Sequence, residues 1–192
     1  MAFFLCSNAL FAQEGEYVTT PTKPFGWYGA MSYAVQPMPE DGLDFLPTLS
    51  GGLIIDRKWM IGIAITQVNS SLKYVYQGSN GPVAGLESGY SLGALDVAYV
   101  LLPENKAHPI FEVQIGGGEA WMTNAEGDDF TRNNIVSIHP KIGLQLEAAT
   151  WFRMDFVLGY QALFGLNEYF GDEPFNGPVA GINLRFGKFV KD

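Results

Sequence analysis

Ser137-Ile138-His139, with Glu147 further along the same parity, is the grouping in this 192-residue chain best suited to covalent chemistry. A hydroxyl, an imidazole and a carboxylate are the nucleophile, base and orienting acid of acyl transfer. Along a strand, successive side chains point to opposite faces, so Ser137, His139 and Glu147 would share one face. One feature weighs against catalysis: the shared face carries other charged residues, whereas an acyl chain arrives from the apolar side. Ser137 and His139 are therefore read as interior or rim residues bonded to neighbours, and no catalytic residue is assigned. His108 lies between Ala107 and Pro109 in what reads as a short turn. With two histidines and the single Cys6, zinc or haem has few ligands, so no cofactor is expected. Gly116-Gly117-Gly118 lacks the strand-to-helix context and following Lys of a phosphate loop. The acids cluster at Glu40, Asp41 and Asp44, at Glu126, Asp128 and Asp129, and at Asp172 and Glu173. None follows the Asp/Asn/Gly order of a calcium loop, and they read as solvated loops.

The elements that must position these residues are strands. Phe152, Met154, Phe156, Leu158 and Tyr160 alternate with Arg153, Asp155, Val157, Gly159 and Gln161. In the preceding segment Val136, Ile138, Ile142, Leu144 and Leu146 alternate with Ser137, His139, Lys141, Gly143, Gln145 and Glu147. The same period predicts six further strands, near 25–36, 48–56, 59–69, 90–102, 110–121 and 179–189. The connections after the second, fourth and sixth strands are short. Those after the first, third, fifth and seventh are long (37–47, 70–89, 122–133 and 165–178). Leu72-Lys73-Tyr74-Val75-Tyr76 is expected to prolong the third strand; a separate hairpin would give ten strands. Pro140 is placed near the outer rim, where a bulge is tolerated.

Alternating short and long connections predict an eight-stranded antiparallel up-and-down transmembrane β-barrel with both termini in the periplasm. A soluble lipocalin-like carrier would show the same alternation inverted. Its water-facing parity should be crowded with Lys, Glu and Arg. Here the polar parity is mainly Gly, Ala, Ser and Gln, with isolated charges of both signs. Asp96, Glu112, Lys141, Glu147, Arg153, Asp155 and Arg185 are expected to pair as an ionic network inside a polar, side-chain-filled lumen. Trp59, Trp151 and Tyr99 near the short turns, and Trp121, Tyr160 and Tyr90 near the long loops, suggest two interfacial aromatic girdles. Only 16% of residues are charged, and the net charge of -9 argues against nucleic acid.

Residues 1–12, from Met1 to Ala12 and including Cys6, read as a shortened secretory signal, leaving a single barrel domain over 13–192. Gly51-Gly52-Leu53-Ile54-Ile55-Asp56-Arg57-Lys58-Trp59, the glycine run at 116–118, Ala149-Thr150-Trp151-Phe152-Arg153 and Leu184-Arg185-Phe186-Gly187-Lys188-Phe189 resemble small outer-membrane β-barrel proteins of Bacteroidota, in the style of the OmpA and OmpX barrels. Phe11-Ala12-Gln13 is similar to their signal ends. The resemblance implies a monomer in the bacterial outer membrane, surrounded by lipid and lipopolysaccharide. A structural or surface-recognition role follows, with an extracellular ligand met through the loops. The alternatives are a lipid A-modifying enzyme or a narrow channel.

Overall fold

The β-branched and aromatic residues that alternate along this chain pair into one closed sheet. The structure, a computed structural model, describes residues 25–38, 42–78, 81–123, 129–166, 170 and 175–189. The strands are β1 (Phe25–Met38), β2 (Gly42–Ile55), β3 (Trp59–Gly78), β4 (Gly81–Val100), β5 (Ala107–Thr123), β6 (Asp129–Ala149), β7 (Phe152–Phe164) and β8 (Gly177–Lys188). Each pairs antiparallel with the next, and β1 pairs with β8 from Trp27↔Lys188 to Val35↔Ala180, closing the barrel. The strand count is eight, because the segment around Tyr74 prolongs β3 against β4. The predicted signal, with Cys6, lies outside the described residues, as do Glu40, Asp41, Glu126, Asp128, Asp172 and Glu173.

Side-chain direction decides between the two kinds of barrel. Phe45 and Ile63 point outward and are each 68% exposed, and Leu49, Leu158 and Phe111 share that outer face. Asp96, Glu112, Lys141, Arg153, Asp155 and Arg185 point inward and are buried. A soluble carrier needs the opposite arrangement, with its apolar parity inward.

Three expectations need correction. The connections after β1, β3 and β5 are not long loops, because the strands continue to Met38↔Gly42 and Gly78↔Gly81 and to the pairing of Thr123 with Asp129. Pro47 made residues 42–47 look like loop. It is tolerated because β2 pairs there only with β1, at Tyr33, and the β2–β3 ladder begins at Thr48↔Thr66. Pro140 is not at a rim but halfway along β6, level with Val113 of β5. On its other side the β6–β7 ladder passes from Ile138↔Ala162 directly to Lys141↔Gly159 without a change of register. The third correction concerns Tyr90, which is only 1% exposed inside the barrel and takes no part in an outer girdle.

At the opposite end the chain reverses sharply. Asp56 and Arg57 both have φ of 55°, and the Lys58 amide donates to the Ile55 carbonyl at 3.2 Å. Two consecutive left-handed residues give the turn whose twist matches a β-hairpin. Arg57 is held there by both carboxylate oxygens of Glu104, in the neighbouring turn, at 2.5 and 3.1 Å.

The interior has three tiers. Toward the turn end lies an apolar cluster of Ile54, Met60, Val100, Ile110 and Phe189 with Tyr28. Toward the hairpin end lies a second, in which Phe170 and Phe175 of the β7–β8 connection pack on Leu46, Val68, Tyr90 and Met122. Most of the charge expected throughout the lumen is therefore gathered in a belt between two hydrophobic layers.

Candidate functional site: a charged belt inside the barrel

Inward positions on β4 to β8 bring six of the seven predicted ionic residues into the belt. Glu112 on β5 faces two cations, Lys141 Nζ at 2.6 Å and Arg185 Nη2 at 2.5 Å. Arg185 also donates through Nε to Asp155 Oδ2. Gln145 donates to the other oxygen of Asp155 at 2.9 Å, and Arg153 donates to Gln145 Oε1 at 2.8 Å. Asp96 accepts from the Tyr28 hydroxyl at 3.2 Å. Glu147, the seventh predicted charge, is half-buried at the turn-end margin of the belt and is the register partner of Arg153.

Register explains the cluster. Glu112 and Lys141 are direct cross-strand partners, and so are Gln145 and Asp155. Such neighbours have their side chains about 5 Å apart, close enough to bond without distorting the sheet. Arg185 is different, since it reaches across the lumen from β8 to Glu112 on β5. Its guanidinium also sits 5.2 Å from the centre of the Tyr28 ring, and Arg153 sits 4.3 Å from that of Phe189. Both contacts suit the attraction of a cation for an aromatic face.

Several belt members were invisible to the charge pattern. Gln114 donates to Glu112 at 3.2 Å, and Asn183 donates to Asp155 at 3.3 Å. Their signal was parity alone, since each alternates with outward apolar residues. Tyr28 was hidden among the aromatic residues of β1. Its hydroxyl reaches Asp96 because Gly62 on β3 lacks a side chain; a Cβ there would stand 2.8 Å from that oxygen.

The acyl-transfer grouping is not assembled. Ser137 and His139 are both buried and inward, as their parity required, but no hydrogen bond joins them. His139 Nε2 is buried without a partner in the structure, and Glu147 sits near the turn end. His108 begins a strand and does not lie in a turn; its Nδ1 is 2.9 Å from the Leu102 carbonyl. Among the described residues no three His, Cys, Asp or Glu side chains converge as a transition-metal site would require. Above the belt a cavity of about 20 Å³, lined by Ser32, Thr48, Thr66, His139 and Asn183, has room for roughly one water. A concavity of about 610 Å³ lies outside among Phe111, Ile142, Leu144, Phe156 and Leu158, with no ionised group of the belt in its lining.

Acids and bases that pair across neighbouring strands in this way tie the strands together. No protein-family model and no curated protein sequence matches the chain. Solved structures do. Neisserial surface protein A is similar over 84% of this chain and 96% of its own, with 12% identity and a TM-score of 0.56. The N-terminal β-barrel domain of Pseudomonas aeruginosa OprF is similar over 86% of this chain and 98% of its own, with 14% identity and a TM-score of 0.50. At such identities the likeness is one of fold, and the fold is the closed eight-stranded antiparallel barrel of outer-membrane proteins.

Proposed function

We propose that this chain is a monomeric barrel of the bacterial outer membrane, serving a structural or surface-recognition role and catalysing no reaction. The observation that carries this reading is the inside-out distribution of side chains. Apolar residues cover the outside of a sheet with no free edge through its middle, while charge is buried within. In lipid, every backbone group must be paired internally, and a closed barrel meets that demand. The resemblance of Gly51–Trp59 and Leu184–Phe189 to Bacteroidota barrels supports the same placement. Lipid and lipopolysaccharide would then contact the outer groove beside Phe111 and Leu158.

Recognition is assigned to the hairpin end. There β3 and β4 pair on to Gly78↔Gly81, while β2–β3 pairing stops at Thr48↔Thr66 and β4–β5 pairing stops at Glu87↔Thr123. One hairpin thus rises above its neighbours, in position to meet an extracellular ligand.

The test is refolding into detergent with the gel mobility of heated and unheated samples compared. The expected result is a β circular-dichroism spectrum in detergent only, with a folded band that shifts on boiling. A monomeric β protein in plain buffer would sink the membrane assignment.

A further inference from the structure

The outer wall is not evenly covered. Register sets Phe111, Ile142, Leu158 and Ala180 in one outward row across β5 to β8. A second row, one step nearer the turn end, holds Pro109, Leu144 and Phe156. In the first row β8 contributes only the methyl group of Ala180, and the wall is hollowed there into the concavity of about 610 Å³. No charged side chain lines it, and Phe111, Ile142 and Leu158 are each more than half exposed. A hollow of that size suits an apolar molecule or chain.

At the foot of the hollow stands a cation. Beyond Pro109↔Leu144 the β5–β6 ladder ends at Ala107↔Leu146, and the Glu147 amide donates to the Lys106 carbonyl at 2.8 Å. The backbone of Lys106 is thereby held below the groove, five residues before Phe111, or about 17 Å along the strand. Its side chain is exposed. Glu104, the acid two residues away, is already engaged by both terminal nitrogens of Arg57. Trp151, in the adjoining β6–β7 turn, is exposed and stacks on Phe186 with ring centres 6.1 Å apart. Lys and Trp are side chains that settle where hydrocarbon meets head groups. From that boundary to the bilayer middle is about 15 Å, half of a hydrocarbon core of about 30 Å. The path from Lys106 to Phe111 therefore has the length of one lipid tail.

We propose that this groove seats one acyl chain of an anionic phospholipid, whose phosphate is met by Lys106. The proposal rests on the membrane reading above, in which the hairpin end faces the cell exterior and the turn end lies in the inner leaflet. Shape and polarity select the chain, because the lining is apolar and opens sideways toward lipid. Charge selects the head group, because an exposed ammonium near the membrane surface favours a lipid of net negative charge over a zwitterionic one. The seated chain lies over β5 to β8, the half of the barrel that carries most of the ionic belt on its inner side.

The experiment is native mass spectrometry of the detergent-refolded barrel titrated with phosphatidylglycerol, alongside Ala180→Phe and Lys106→Gln variants whose folding is checked by gel mobility. Wild type should retain one phosphatidylglycerol. Ala180→Phe fills the groove and should weaken retention about tenfold or more. Lys106→Gln should weaken it about fivefold. A barrel that folds in detergent and retains no lipid overturns the site while leaving the membrane reading intact; a barrel that folds in plain buffer removes both. Retention unchanged in Ala180→Phe overturns the groove as the seat, and phosphatidylethanolamine retained equally well overturns the head-group assignment. Should Ala180→Phe fail to fold, Lys106→Gln decides, and unchanged retention in that variant counts against the proposal.

Discussion

Among single residues, Glu112 should matter most, because it is 2% exposed and neutralises two cations at once. Glu112→Gln keeps the shape and removes the charge, leaving Lys141 buried without its partner. Breaking one side of a buried pair costs about 3–5 kcal/mol, and urea unfolding in detergent or vesicles should show a loss of that order. Arg57→Ala removes an ion pair with similarly short contacts, yet Glu104 is 63% exposed, and the loss should stay below about 1 kcal/mol. Burial, not distance, separates the two outcomes. The sequence reading reached Glu112 and Lys141 through alternation, since a charge between Phe111 and Val113 has only one face to occupy. It did not reach Tyr28 or Gln145. An uncharged polar residue on the inward parity looks the same whether it bonds to a carboxylate or fills space, and the difference arises only when register sets its neighbour.

Individual strands were legible in type and order, and their lengths were not. A period of two reads equally well inside and beyond the apolar band, but acids, glycines and prolines at the hairpin end masked it. Pro37 and Pro47 suggested a loop in a segment where Leu43 and Phe45 already alternate with Asp44 and Leu46. Pro140 shows how one residue acts on an element without breaking it. The residue has no amide hydrogen to donate, and the β6–β7 ladder lapses at His139 and Pro140 while its register persists on both sides. What β7 loses there is a donor to one of its carbonyls, since proline can still accept from a β7 amide. Pro140→Val restores that donor, and urea unfolding in detergent should show a gain of about 1 kcal/mol. Unchanged or lowered stability would refute this account.

Across the whole molecule, two hydrophobic layers enclose the charged belt. Phe170 and Phe175 pack into one end and Phe189 into the other, and the cavity between them lined by Ser32, Thr48 and His139 holds about one water. Planar-bilayer recordings should accordingly show no steady conductance, and a sustained open level would contradict the packing. The barrel architecture was readable from alternation, whereas this layering was not. Phe170 and Phe175 come from the β7–β8 connection, where no periodicity says which way a side chain turns. The position of Arg185 in the chain has a consequence of another kind, for the order of assembly. Its partners Glu112 and Asp155 belong to earlier strands, and Tyr28, against which it rests, belongs to the first. A chain that stops short of β8 would enclose more acid than base. The last strand therefore completes the sheet and the charge balance in one event, so a truncated copy carries an electrostatic mark of its own incompleteness.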